Sequence, residues 1–279
     1  MKSGTTSLYQ YLNAHPQAFL SPIKEPQYFC KERTPQPSDR ANGITVDWED
    51  YLRLFERDRD EVAIGEASAG YLCSRSAAYE IHRTFPNARI LIILRDPAER
   101  AYSQYLTDWR WNYNHASFRE SLSYDRAPGE PLAWVASRPH IAISLYHDQV
   151  KRYLDTFGPD QVRVYLYDDL KRDVDSLMSD VYGFLGLERR FGPKSFEVRF
   201  NRSAKPHFVT LDRFLIEPLS RRVLTRKTRA RLRERLRKIY YRQARPINPE
   251  DRSYLIGIFR DDILKLQDLI HRDLAHWLR

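Results

Sequence analysis

The sequence predicts an α/β protein with a parallel sheet. Three short runs of apolar and β-branched residues, at 62–64, 89–94 and 162–167, have the composition of buried strands, and polar or turn-forming residues follow each run. Helical patterns alternate with these runs, at 76–84, 99–109, 143–157 and 174–185. Such alternation is typical of parallel sheets, because parallel neighbours need a crossover between them.

Further helices are predicted outside this alternating core. Residues 47–56 place Trp48, Tyr51, Leu52 and Phe55 at helical spacing, which indicates core packing for these side chains. Residues 211–242 and 251–278 also have helical patterns, so that 211–279 forms a helical C-terminal part. Surface loops are predicted where Pro, Gly and polar residues cluster, at 34–43, 127–131 and 245–250.

Length and composition favour one globular domain over residues 1–279. With 279 residues, 42% of them hydrophobic, the chain can bury a sizeable core. No apolar run approaches the ~20 residues of a membrane span, and the first residues lack the pattern of a signal peptide. We therefore expect a cytoplasmic protein with no transmembrane segment.

The residues that commonly bind metals are scattered along the chain. Two cysteines, Cys30 and Cys73, lie beside apolar or aromatic neighbours, and no further cysteine exists to complete a zinc site. Histidines and carboxylates are not clustered at metal-ligand spacing. We expect two buried free thiols and no metal.

The positive charge belongs to one segment. Residues 221–245 hold twelve Lys or Arg against one Glu, a net charge of +11, so the rest of the chain carries −2 of the total of +9. Two interpretations are open: the segment contacts an anionic polymer, acidic lipid or nucleic acid, or it is the solvated face of a helix.

Residues 2–12, KSGTTSLYQYL, form a hydroxyl-rich turn that leads into an amphipathic helix. Backbone N–H groups at a helix N-terminus attract anions, Gly4 permits close approach of the backbone, and Lys2 supplies positive charge. Simple capping of a helix by Ser and Thr is an equal alternative on this segment alone. A nucleotide-triphosphate loop would place the lysine after the last glycine, whereas Lys2 precedes Gly4.

Residues 90–105, ILIILRDPAERAYSQY, give a buried strand, then Arg95, then Ser103 eight positions later on the next helix. Ligands bind in the crevice at the carboxyl ends of strands in open α/β sheets. A guanidinium and a hydroxyl placed there can hold a phosphate together. The alternative is a surface ion pair of Arg95 with Asp96 and an ordinary helical serine.

Together these segments resemble the sulfotransferase superfamily, whose 5′-phosphosulfate loop has a Lys-x-Gly-Thr-Thr pattern and whose 3′-phosphate segment resembles 90–105. The resemblance implies a P-loop-like three-layer α/β/α fold with a central parallel sheet. It also implies 3′-phosphoadenosine 5′-phosphosulfate (PAPS) as co-substrate. In that family a strand precedes the loop at the centre of the sheet, and we expect that strand to be missing here, because the chain begins at Met1.

The same resemblance implies a binding role for two groups of residues. Arg95 and Ser103 would bind the 3′-phosphate, whereas Asp96 and Arg100 would organise the turn. The residues that would hold the 5′-phosphosulfate are Lys2, Ser3, Gly4, Thr5, Thr6 and Ser7. Residues 201–205, NRSAK, fall where relatives place a loop that closes over PAPS, so Lys205 is a further candidate.

Residues 24–29, KEPQYF, resemble the segment that carries the catalytic carboxylate in the heparan sulfate branch of the family. Glu25 is therefore the candidate general base, which takes the proton of an acceptor hydroxyl or amine as the bond to sulfur forms. Lys2 and the loop N–H groups would stabilise the departing nucleotide. Without the resemblance, an exposed Lys24–Glu25 charge pair would be the preferred interpretation.

The chain departs from the heparan branch at two acceptor positions. In residues 65–71, GEASAGY, Ala67 stands where those enzymes have lysine, and Thr107 stands where some have histidine. The acceptor is therefore not predicted. Two other function classes stay open: a non-catalytic module that binds nucleotide or polyanion, and an ATP-dependent phosphotransferase, which the position of Lys2 disfavours.

Overall fold

In a computed structural model, the protein is described at residues 1–32, 43–56, 61–110, 116–123, 140–189, 204–206, 241–243 and 246–279, with the backbone alone at 110, 204–206 and 241–243. The helices are α1 (Thr5–Asn13), α2 (Trp48–Arg53), α3 (Ala77–Thr84), α4 (Pro97–Arg110), α5 (Phe118–Ser123), α6 (His147–Phe157), α7 (Tyr167–Arg172), α8 (Val174–Leu185) and α9 (Pro249–Ile270). The strands are β1 (Ala18–Leu20), β2 (Ala63–Gly65), β3 (Ile90–Leu94), β4 (Val162–Leu166), β5 (Ala204–Pro206) and β6 (Tyr241–Gln243). Short 3₁₀ turns lie at Ala69–Leu72, Ala142–Ser144 and Ala275–Leu278.

The described strands form three pairs. β1 lies parallel to β2, with Phe19 opposite Ile64, and β3 lies parallel to β4, with Ile92 opposite Val164. β5 and β6 are antiparallel. Helices separate the four parallel strands β1–β4 along the sequence. The predicted α/β class is therefore confirmed.

The β3–β4 pair separates two hydrophobic cores. Side chains alternate across a strand, so Ile92 and Leu94 enter the larger core while Ile93 enters the smaller one. Helices α3, α4, α6 and α9 cover the larger core, and α1 and α8 cover the smaller one. Helices on both faces of parallel strands are the expected three-layer α/β/α arrangement.

Helix α8 occupies the span that its pattern predicts, 174–185. The Asp173 carboxylate accepts a hydrogen bond from Ser176 N (3.0 Å) and so caps the helix N-terminus. Gly186, with φ of 77°, ends the helix in the left-handed conformation that glycine adopts most readily. Local capping residues thus set both ends.

Helix α9 begins earlier and ends earlier than the prediction of 251–278. The Asn248 side chain accepts from Glu250 N (2.9 Å), and Pro249 follows at the first helical position, where its missing N–H has no consequence. The helix ends at Ile270, and a 3₁₀ turn at Ala275–Leu278 completes the chain. The helix packs on the larger core through four buried side chains at helical spacing: Leu255, Phe259, Ile263 and Leu266.

The helix predicted over 143–157 is interrupted. A 3₁₀ turn covers Ala142–Ser144, and α6 begins only at His147. The cause is a distant residue, because the Asp262 carboxylate of α9 accepts hydrogen bonds from Tyr146 N (2.7 Å) and His147 N (3.1 Å). Those bonds satisfy N–H groups at the start of α6 and fix its first residue.

Other predictions meet the structure unevenly. The short elements β1, α5 and α7 are not among the predicted ones. The helix predicted over 211–242 lies outside the described residues except at its end, where β6 replaces it. The predicted loop at 34–43 lies outside the described residues except at Gly43, and the predicted loop at 127–131 lies wholly outside them. Cys30 and Cys73 are buried and free, as predicted. Among the helices that the structure describes, none is long and apolar enough to cross a membrane.

Candidate active site

The candidate phosphate loop lies directly before α1. Ser3 and Ser7 are buried, and Lys2 is half-buried with a φ of 68°. The first intrahelical bond of α1 runs from Leu8 N to Gly4 O (3.1 Å), so the amides of Thr5, Thr6 and Ser7 precede the ladder at the helix N-terminus. No acidic residue lies in the first turn. This end of α1 is therefore suited to an anion.

Gly4 is required by both backbone and packing. Its φ of 94° lies in the left-handed region, where a residue with a Cβ is strained. A Cβ at this position would also lie 2.9 Å from Tyr167 Cδ2 and 3.0 Å from Leu170 Cδ2, both on α7. Helix α7 thus packs tightly beneath the turn and holds it in place.

Arg95 joins the carboxyl end of β3 to the loop. Its Nη1 donates to Lys2 O at 3.3 Å and its Nη2 to Glu99 Oε2 at 3.0 Å. The guanidinium carbon lies 5.2 Å from the centre of the Tyr167 ring. A guanidinium has five N–H donors, more than these two bonds use. The structure therefore brings together the two segments that sequence reasoning selected as phosphate-binding.

The turn after Arg95 is held by its neighbours. Asp96 Oδ1 accepts from Ala98 N (2.9 Å) and Glu99 N (3.1 Å), which caps α4, and Asp96 Oδ2 accepts from Arg252 Nη2 (2.7 Å). Buried Arg100 donates to Ser144 Oγ and to His140 O, both at 2.6 Å. These contacts fit the prediction that Asp96 and Arg100 organise the turn.

Ser103 lies on α4 and Lys205 on β5, and these two elements are adjacent. Ser103 is buried on α4, and its carbonyl accepts from Thr107 Oγ1 (2.9 Å). Strand β5, which carries Lys205, lies against α4 and pairs Lys205 with Arg242. The side chain of Lys205 and residues 201–203 lie outside the described part of the chain. Tyr146 is buried near Ser3 and Arg100, and burial raises the pKa of its hydroxyl to about 12.

Glu25 is held in an unusual conformation. Its φ is 66°, and its amide donates to Ala67 O at 3.0 Å. The Glu25 carboxylate accepts from Lys24 Nζ (2.6 Å) through Oε1 and from Ala69 N (2.8 Å) through Oε2. The Lys24 and Glu25 side chains are only 22% and 28% exposed. A Lys24–Glu25 pair does form, but the Ala69 amide also fixes the carboxylate against the segment that follows β2.

Sequence reasoning missed Glu66, the residue directly after β2. The Glu66 carboxylate accepts from the hydroxyls of Ser68 (2.6 Å), Tyr71 (2.6 Å) and Tyr51 (3.2 Å). Burial raises the pKa of Glu66 to about 7. Helical spacing predicts core packing for Tyr51, and its side chain is 3% exposed. The available signal was position, because a carboxylate at the carboxyl end of a parallel strand lies where ligands bind.

The arrangement combines an anion-binding end with a fixed carboxylate. Cationic groups and amides surround the start of α1 and the end of β3, while Glu25 is anchored beside the end of β2. Such a site can bind a phosphate-bearing ligand and remove a proton from a second one. Within the described ranges, no group of three or more His, Cys, Asp or Glu is placed to hold a metal ion.

Comparison with known proteins identifies the family. The sequence model of the Sulfotransferase family matches residues 1–191. The chain belongs to the sulfotransferase family. The crystal structure of a sulfotransferase from Alicyclobacillus acidocaldarius is 32% identical, with a TM-score of 0.74 over 100% of this chain and 95% of that one. The resemblance inferred from residues 2–12 and 90–105 is thus confirmed at the level of family and fold.

Curated relatives of this sulfotransferase-family chain include larger proteins. The human bifunctional heparan sulfate N-deacetylase/N-sulfotransferase 3 is 29% identical over 287 residues, which cover 100% of this chain and 30% of that protein. Human carbohydrate sulfotransferase 15 is 28% identical over 237 residues, covering 67% of this chain and 42% of that protein. The chain therefore spans about a third of the length of its N-deacetylase/N-sulfotransferase relative.

Proposed function

We propose that this chain transfers a sulfuryl group from PAPS to a hydroxyl or amine of an acceptor. The observation that carries the proposal is the contact of Arg95 with the loop: Nη1 of Arg95 lies 3.3 Å from Lys2 O. Two segments that are 93 residues apart in sequence thereby lie side by side, close enough to hold one ligand between them. PAPS carries a phosphosulfate and a separate 3′-phosphate, so it needs two such segments.

The donor would be held by residues at both segments. Lys2, Ser3, Gly4, Thr5, Thr6 and Ser7 lie where the 5′-phosphosulfate would bind. Arg95 and Ser103 lie on the strand end and helix that would receive the 3′-phosphate. Lys205 is proposed to contribute from β5, which lies against α4. Membership of the sulfotransferase family supports this use of the two segments.

The transfer itself is proposed as in-line displacement at sulfur. The acceptor oxygen or nitrogen forms a bond to sulfur while the bond from sulfur to the bridging phosphate oxygen breaks. Glu25 accepts the acceptor proton, and 3′-phosphoadenosine 5′-phosphate (PAP) leaves with the electron pair of the broken bond. Lys2 and the first amides of α1 stabilise the charge that grows on the leaving oxygen. The Ala69 amide and Lys24 keep the carboxylate in place for this step.

The names of the relatives suggest carbohydrate as the first acceptor class to test. The named relatives act on heparan sulfate or other carbohydrate, whereas this chain has Ala67 and Thr107 at two positions that differ from the heparan branch. We therefore propose a panel of probes: de-N-sulfated heparan sulfate, a simple phenol and a primary amine. Release of PAP from PAPS with each probe reports turnover.

The variant Glu25→Gln tests the role of the base. The amide keeps the shape of the side chain but cannot take a proton, so turnover should fall by about 10²–10⁴-fold. Affinity for PAP, measured by calorimetry, should stay within about twofold, because the hydrogen bonds of Glu25 in the described structure go to Lys24, Ala67 and Ala69 and not to the candidate phosphate segments. Glu80→Gln is the matched control, since Glu80 lies on α3 and pairs with Arg83 (2.6 Å). Turnover of Glu25→Gln at the rate of Glu80→Gln would remove Glu25 from the mechanism.

Two expectations from the sequence stay predictions. The basic segment 221–245 lies mostly outside the described residues, and contact with an anionic surface would appear as salt-sensitive binding to heparin. The cytoplasmic location would be tested by fractionation of cells that express the chain. Heparin binding without PAP binding would favour the non-catalytic module.

A further inference from the structure

Glu66 has three hydroxyl donors and belongs to no step of the proposed transfer. It follows β2 and is partly buried. Its Oε2 accepts from Ser68 Oγ, while its Oε1 accepts from the hydroxyls of Tyr71 and Tyr51. Each hydroxyl donates its only proton to the carboxylate, so the lone pairs of the hydroxyl oxygen can accept hydrogen bonds from other donors.

Two of those hydroxyls continue to the backbone beside Glu25. Ser68 Oγ accepts from Gln27 N at 3.0 Å, and Tyr71 Oη accepts from Phe29 N at 3.3 Å. Through these bonds one carboxylate on the β2 side holds two amides of the 25–29 segment. If the hydroxyl protons turned away from Glu66, the oxygens would no longer be oriented to receive both amides.

The held segment has a backbone that needs support. Glu25 has a φ of 66° and Gln27 a φ of 55°, both in the left-handed region that non-glycine residues rarely adopt. Such conformations persist where surrounding contacts over-determine them, and they cluster at functional sites. The amide of Gln27 lies between the two strained residues and Phe29 follows them, so the Glu66 network acts at the strained turn itself.

The ionised form of Glu66 destabilises the folded state, and a neutral side chain of the same shape would fill this position without that cost. Desolvation raises the pKa of Glu66 to about 7, the nearby Glu25 charge acts in the same direction, and the bonds from Ser68, Tyr71 and Tyr51 act against it. A group whose folded-state pKa is raised favours folding fully below its ordinary pKa, and that contribution is lost as the pH rises through about 7. At neutral and higher pH a neutral amide would suit stability better than this carboxylate.

We propose that Glu66 is a positioning residue that holds the Glu25 segment through the hydroxyls of Ser68 and Tyr71. This inference rests on the proposed function, in which Glu25 takes the acceptor proton. The carboxylate fixes the direction of both hydroxyls, the hydroxyl oxygens fix the amides of Gln27 and Phe29, and the turn presents the Glu25 side chain to the Ala69 amide and to the acceptor.

The test compares Glu66→Gln and Ser68→Ala with wild type in three measurements. Turnover is read as PAP release with the fastest probe of the panel, PAP affinity by calorimetry, and exchange of the Gln27 and Phe29 amides by hydrogen–deuterium mass spectrometry. We expect turnover to fall about tenfold, which is a small change in barrier, PAP affinity to stay within about twofold, and both amides to exchange faster in Glu66→Gln. In Ser68→Ala the faster exchange should be confined to Gln27.

Thermal melting separates positioning from a merely structural role. Because the buried charge opposes folding above its ordinary pKa, the melting temperature of Glu66→Gln relative to wild type should rise between about pH 5 and about pH 8. If Glu66 had only a structural role, Glu66→Gln would lower both the melting temperature and the turnover at about pH 8. Glu80→Gln again serves as control, with turnover, exchange and melting expected to match wild type.

The outcomes distinguish this inference from the proposed function. Unchanged amide exchange or unchanged turnover in Glu66→Gln, together with inactive Glu25→Gln, would overturn the role of Glu66 and leave the base in place. Faster exchange in Glu66→Gln together with a fully active Glu25→Gln would show that Glu25 is not the base. The contact of Glu66 with the 25–29 segment, through Ser68 and Tyr71, would still be supported. The exchange measurement needs no acceptor. It therefore tests whether Glu66 orders the amides of Gln27 and Phe29 even where no probe of the panel is turned over.

Discussion

Backbone strain is concentrated in the residues of the candidate site. Among the described residues other than glycine, positive φ values occur at Lys2, Glu25, Gln27 and His271. Lys2 lies in the candidate phosphate loop, Glu25 is the proposed base, and Gln27 follows two residues later. A left-handed conformation costs a non-glycine residue roughly 1–2 kcal/mol. The fold supplies contacts that offset this cost at the site, which is the usual pattern for residues that must present groups to a ligand.

The substitution Gly4→Ala tests the loop at a single atom. The added Cβ would be strained by the φ of 94° and would lie 2.9 Å from the Tyr167 ring. We expect a loss of about 1–3 kcal/mol in the free energy of unfolding, measured in urea, and a loss of PAP affinity of at least about tenfold.

Gly257→Ala is the matched control for that prediction. Gly257 lies in α9, and a Cβ there would meet nothing within 4 Å. Alanine favours a helix interior over glycine by roughly 0.5–1 kcal/mol, so this variant should be more stable and bind PAP unchanged. Equal effects of the two substitutions would show that the turn at Gly4 has no special requirement.

At the level of elements, the C-terminal residues support both phosphate segments. Arg252 of α9 binds Asp96, which caps α4 behind Arg95. Arg272 donates to both carboxylate oxygens of Asp169 on α7, at 2.9 and 3.0 Å, and α7 packs beneath Gly4. Residues of α9 and of the segment after it thus contact the elements that are proposed to hold the two ends of the donor.

The substitution Arg252→Ala tests this connection. The Arg252 and Asp96 side chains are 22% and 12% exposed, so the variant leaves a largely buried carboxylate with only its two backbone donors. We expect unfolding free energy to fall by about 1–3 kcal/mol and PAP affinity to weaken because the turn at Arg95 loosens.

An exposed ion pair provides the comparison. Lys151 pairs with Asp155 at 2.7 Å, but both side chains are at least half exposed. Lys151→Ala should change stability by no more than about 0.5 kcal/mol and leave PAP affinity unchanged. A stable Arg252→Ala variant with normal PAP affinity would show that α9 does not support the site.

Across the whole molecule, the sequence predicts what depends on local pattern. Helix α8 follows from its apolar period and its caps, Asp173 and Gly186, and β3 follows from a run of five apolar residues. The start of α6 could not be predicted, because Asp262, more than a hundred residues away, sets it. Strand β1 has only three residues, too few for a periodic signal.

The candidate site divides in the same way. The phosphate loop and Arg95 could be selected from sequence because each has its own pattern, and parallel strand ends meet at one edge of a sheet. The network of Glu66 with Tyr51, Ser68 and Tyr71 could not, since it depends on side chains from separate elements. Tyr51 shows the limit: helical spacing predicted its burial, but not that its hydroxyl would bind a carboxylate.

The most direct measurement is a calorimetric titration of the protein with PAP and, separately, with ATP, in wild type and in Arg95→Ala. PAP carries the two phosphate groups that we propose the loop and Arg95 bind, so we predict that wild type binds PAP at least about tenfold more tightly than ATP. Arg95→Ala should lose most of that preference. Equal affinity for the two nucleotides, or PAP affinity that Arg95→Ala leaves unchanged, would contradict the assignment of this site to PAPS.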